Sequence, residues 1–110
     1  MIDFISLLQR ISDKYGLKLA SVDFTDVTLL ARLEIGPHIY ISIYRNEKKG
    51  KLNMALIVGN ERIYGIDSEG GICHEHPAWD PDAHLPLDKE VHLEEFILRS
   101  LRLIEERGLL

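Results

Sequence analysis

Three consecutive runs of alternation constrain this chain more than any other feature. Val27, Leu29, Ala31, Leu33 and Ile35 alternate with Thr28, Leu30, Arg32 and Glu34. Ile39, Ile41 and Ile43 alternate with Tyr40, Ser42 and Tyr44, and Leu52, Met54, Leu56 and Val58 repeat the pattern. A period of two places each apolar set on one face of a sheet. The breaks are Gly36-Pro37, the Asn46–Lys51 turn with Gly50, and Gly59-Asn60. They are too short for the crossovers that parallel strands need, so the strands run antiparallel. Ile63 to Asp67 predicts a further strand, Asp67 to Gly71 a turn, and Ile72 to His76 a short last strand. Leu17 to Phe24 adds an edge strand.

Helices flank this region. Over residues 3–15, Phe4, Leu7, Leu8, Ile11 and Tyr15 fall on one helical stripe, with Asp3 as the expected N-cap and Gly16-Leu17 as the stop. Asp88 is the expected N-cap of a second helix. Leu93, Phe96, Ile97, Ser100, Leu101 and Ile104 line one of its faces, and it ends near Arg107. Between sheet and helix, Pro77, Pro81 and Pro86 predict an irregular segment, with Trp79 plugging it onto the core. The expected fold is therefore α+β: an antiparallel β-meander of five to six strands flanked by an N-terminal and a C-terminal helix. Val91 and Leu98 lie seven apart on the charged side of the last helix. They are candidates for contact with a partner subunit, as in a homodimer, or with another part of the chain.

The 110 residues fit one domain, residues 1–110. No apolar run approaches the ~20 residues of a membrane span. The Met1-Ile2-Asp3 start carries no basic signal-peptide region, and a single cysteine, Cys73, excludes an intramolecular disulfide. Both point to a cytoplasmic protein. The net charge is −5, but it is unevenly placed. Residues 1–66 hold nine Lys+Arg against seven Asp+Glu, and residues 67–110 hold four against eleven. The sheet is slightly basic and the acidity follows it, so an anion would approach from the sheet side.

The chemistry-bearing stretch is Cys73-His74-Glu75-His76-Pro77, with Asp80, Asp82 and His84 beyond. On a strand, His74 and His76 share a face while Cys73 and Glu75 point away. Three readings fit. An imidazole pair can give and take protons at neutral pH, as RNA cleavage requires. Arg45, Lys51 or Arg62 would then supply the cation at the phosphate. Alternatively, His74, His76 and His84 with Asp82 (or Asp80) could hold zinc or another divalent transition metal. Or the histidines could simply satisfy hydrogen bonds at a strand end.

The order of features is similar to the TumE-type family of small toxins of type II toxin–antitoxin systems. The likeness spans roughly residues 38–105. It rests on a strand ending at Asp67, a glycine turn, the His74-Glu75-His76-Pro77 segment, a short loop and an amphipathic last helix. Ser68 stands where the family often has Asn, and Gly65 where it often has Arg or an aromatic residue. The resemblance implies a cytoplasmic toxin that acts on RNA without a metal and pairs with a helix-turn-helix antitoxin, which would cover Val91 and Leu98. It further implies His74 and His76 as the acid–base pair and Asp67 as the residue orienting one imidazole. A metal-dependent enzyme or metal-binding module, and a non-catalytic interaction module, are the rival expectations.

Overall fold

The alternating runs become strands of a single sheet. The computed structural model describes all 110 residues, Met1–Leu110. Helix α1 (Ile2–Tyr15) leads into β1 (Lys18–Phe24), β2 (Thr28–Gly36), β3 (Ile39–Asn46), β4 (Lys51–Val58), β5 (Glu61–Glu69), β6 (Ile72–His76) and β7 (Leu85–Leu87). Helix α2 (Leu93–Glu106) completes the fold. The seven strands lie in sequence order and every neighbour is antiparallel.

Register decides which residues share a face. Ala31, Ile43, Met54 and Ile66 oppose one another across four strands, and all four are buried. With Leu33, Ile41 and Leu56 they form the sheet side of the core, against Phe4, Leu8 and Ile11 of α1 and Phe96, Ile97 and Ile104 of α2. Each of the Leu, Ile, Met and Phe side chains contributes roughly 1.5–3 kcal/mol by leaving water. Both helices therefore cover one face. The opposite face keeps its polar row open. Lys14 Nζ and Tyr15 Oη each donate to Glu94 Oε2 at 2.7 Å, tying the end of α1 to the start of α2.

Under α2, Tyr64 stacks on Phe96 with ring centroids 5.4 Å apart. Its hydroxyl donates to Glu75 Oε2 at 2.7 Å and accepts from Arg99 Nη1 at 3.3 Å. Burial pushes the phenol up to about 12, against the opposing pull of Arg99 and with a smaller rise from Glu75. An unfolded tyrosine ionises near 10, so the neutral native phenol favours folding fully below that pH. The contribution fades as pH rises through about 12, and amounts to roughly 2–3 kcal/mol. Urea unfolding of the wild type should weaken between pH 10 and 12 by more than that of Tyr64→Phe. Parallel pH dependence of the two proteins would contradict this.

Several expectations change. The strands number seven rather than five to six, because Leu85–Leu87 pairs with β6 despite Pro86. As an edge strand, β7 lets proline present its missing N–H to solvent. Asp88 does not cap α2; His92 does, without a side-chain cap bond. Val91 thus precedes the helix and is buried, so only Leu98, 43% exposed, remains of the expected apolar pair. Helix α1 begins at Ile2 with Met1 as N-cap, not at Asp3. Trp79 does not plug the core: it is 74% exposed. No helix is long and apolar enough to cross a membrane.

Candidate functional site

The open face carries a row of cross-strand neighbours: Tyr44 on β3 opposes Asn53 on β4, Asn53 opposes Asp67 on β5, and Asp67 opposes His74 on β6. His76 lies one pair along, opposite Gly65. Asp67 therefore faces His74 directly and His76 on the diagonal, within reach of both. Cys73 and Glu75 point to the helix side, where Cys73 is buried and Glu75 bonds Tyr64.

His76 is held at both ends. Its Nε2 lies 2.8 Å from Asp67 Oδ2, and its Nδ1 lies 3.1 Å from the Ala83 carbonyl. That carbonyl can only accept, so Nδ1 carries a hydrogen, and a proton sits between Nε2 and the carboxylate. The His76 side chain is 2% exposed, whereas that of Asp67 is 39% exposed. His76 is thus a buried anchor with no nitrogen left for a ligand, and it fixes Asp67 at the surface.

The same bond to Ala83 folds the proline segment back so that β7 continues beside β6. His84 then arrives next to the other two imidazoles. Its ring centroid is 4.5 Å from that of His76 and 6.4 Å from that of His74, edge-on in both cases. His84 is exposed and His74 half-buried. His74 and His84 are the accessible rings of the cluster, and His76 is the buried one.

A groove of about 350 Å³ opens beside this cluster, lined by Lys51, Asn53, Asp67, Ser68, Glu69, Ile72 and His74. Of the three expected cations only Lys51 lines it. Arg45 stands on the helix-covered face in register with Leu29 and Leu52, its guanidinium 4.5 Å over the Phe4 ring. The parity of β3 sends it there: Arg45 and Tyr44 must point to opposite faces. Arg62 reaches the loop and donates from Nη2 to the Pro81 carbonyl at 3.0 Å. It straps the loop in place. No three His, Cys, Asp or Glu side chains are grouped to hold a metal ion, so His74, His76, His84 and Asp82 do not form the expected coordination set.

No known family model, curated protein or solved structure matches this chain.

Gly65 makes room for the geometry of the site. A Cβ there would lie 3.2 Å from both the Met54 carbonyl oxygen and Arg62 Cδ, and 3.5 Å from His76 Cδ2. The Met54 oxygen belongs to the sheet ladder and cannot yield cheaply. Gly65→Ala should destabilise the fold by about 1–3 kcal/mol, as overpacking does. Chemical denaturation reads this directly, and an unchanged midpoint would contradict the packing account.

Sequence reasoning placed His74 and His76 on one face and grouped His84 with them as a metal ligand, but missed strand β7, Asn53 and Tyr44. His84 joins the cluster because β7 exists, which the prolines concealed. Asn53 and Tyr44 join the row through register, and their place in the alternating runs was the available signal.

Proposed function

We propose that this chain is a metal-independent ribonuclease of the TumE toxin type, cleaving RNA by proton transfer on the open sheet face. The observation that carries the reading is the division of labour among three adjacent imidazoles. His76 spends both nitrogens on Asp67 and Ala83, while His74 and His84 remain accessible with rings 6.4 Å apart. Two such rings can reach one phosphate from opposite sides. One takes the proton of the ribose 2′-hydroxyl as its oxygen attacks phosphorus. The other gives a proton to the departing 5′-oxygen, so a 2′,3′-cyclic phosphate and a 5′-hydroxyl result. Lys51, which lines the same groove, would face the developing charge. His76 and Asp67 are positioning residues in this scheme.

A cytoplasmic toxin of this type implies a helix-turn-helix antitoxin as partner, and Leu98 is the exposed apolar residue of α2 that such a partner could cover. The test is growth arrest on expression. Wild type should arrest growth, and a His74→Ala, His84→Ala double variant should not. Equal arrest by both would overturn the catalytic assignment.

A further inference from the structure

The open face does not end at the histidines. From His74 the row runs through Asp67 and Asn53 to Tyr44, three strands away, or about 14 Å at the usual strand spacing. Neighbouring side chains along it are parts of one groove: Lys51, Asn53, Asp67 and His74 line it together. Lys51 Nζ lies 6.0 Å from the Tyr44 ring centroid, and the Tyr44 hydroxyl accepts from Asn46 Nδ2 at 3.4 Å, which steadies the ring.

Asn53 is the anomaly. Its Oδ1 is shielded from solvent and has no hydrogen-bond partner. Native proteins rarely leave such an atom unpaired, because the lost hydration is not recovered. The side chain is half-buried in the groove wall, one strand from Asp67 and one from Tyr44. A turn about its terminal torsion would present an acceptor and two donors to whatever enters.

We infer that Asn53 and Tyr44 form a nucleobase subsite for single-stranded RNA, next to the phosphate held at His74. This rests on the phosphodiester reading above and extends it to the substrate class. A nucleotide lying across the strands would stack its base on Tyr44. It would place a base edge against the Asn53 amide and pass its phosphate between Lys51 and the histidines. Bases in a duplex are stacked on one another and paired along their Watson–Crick edges, so none can lay its face on Tyr44, and double-stranded RNA is excluded by the same geometry.

The test is steady-state cleavage of a fluorophore- and quencher-labelled single-stranded RNA, and of the same strand annealed to its complement. Tyr44→Leu should raise KM about tenfold or more, the effect of losing one stacked base, with kcat changed much less. Tyr44→Phe, which keeps the ring, should recover most of that loss. Asn53→Ala should flatten the preference among RNAs that differ only in the base beside the cleaved bond. The annealed RNA should resist cleavage. An unchanged KM in Tyr44→Leu, an unchanged base preference in Asn53→Ala, or equal cleavage of the duplex would each overturn the subsite while leaving the parent reading intact. Absence of any cleavage by wild type would overturn both.

Discussion

Replacing His74 with alanine should cut RNA cleavage by about 100- to 10,000-fold, the range a positioned acid or base supplies. The loss should appear in kcat, because the proposed mechanism has His74 act on protons in flight rather than on the resting substrate. Stability should hardly move. His74 is half-buried at the rim of the groove, and both hydrogen bonds of the imidazole cluster are made by His76. A substitution of that kind shifts folding free energy by about 0.5 kcal/mol or less. His84→Ala should behave alike in kcat. Cleavage within a fewfold of wild type in either variant would remove that histidine from the chemistry.

His76→Ala should show the opposite profile. The change empties a fully buried position and leaves the Asp67 carboxylate and the Ala83 carbonyl without their partner. Together these losses should cost about 2–4 kcal/mol. For a domain near this size that lowers the melting temperature by about 10 °C or more. Cleavage should fall as well, because Asp67 loses its fixed orientation and the loop bearing His84 loses a tether. Asp67→Asn is the milder companion: an amide can still meet Nε2, so much of the stability should remain. A His76→Ala protein that melts with wild type would show that the imidazole is not an anchor.

These contrasting profiles separate two histidines that the sequence presents as equivalents. The His-x-His spacing puts both on one face, and that much follows from strand parity alone. What distinguishes them is the Ala83 carbonyl, a backbone group seven residues on, which has no side-chain signature. The fold shows the same divide. Alternation in β2, β3 and β4 made the sheet legible, since each run buries one parity and the turns between are short. Strand β7 was hidden because Pro86 reads as a breaker, yet an edge position accommodates it. The start of α2 was misplaced because Asp88 has the right side chain for a cap. The chain instead bends at Asp88 and Lys89 and buries Val91 before the helix begins. Arg45 and Lys51 look alike in the sequence, but six residues and one turn send them to opposite faces.

On the proposed function, RNA is cleaved here by proton transfer between imidazoles, without a metal ion. The direct measurement is to incubate untagged wild-type protein with single-stranded RNA in excess EDTA and identify the new ends. The account predicts cleavage that leaves 2′,3′-cyclic phosphate and 5′-hydroxyl termini. No cleavage above the His74→Ala, His84→Ala control, or cleavage that requires added divalent metal, would contradict it.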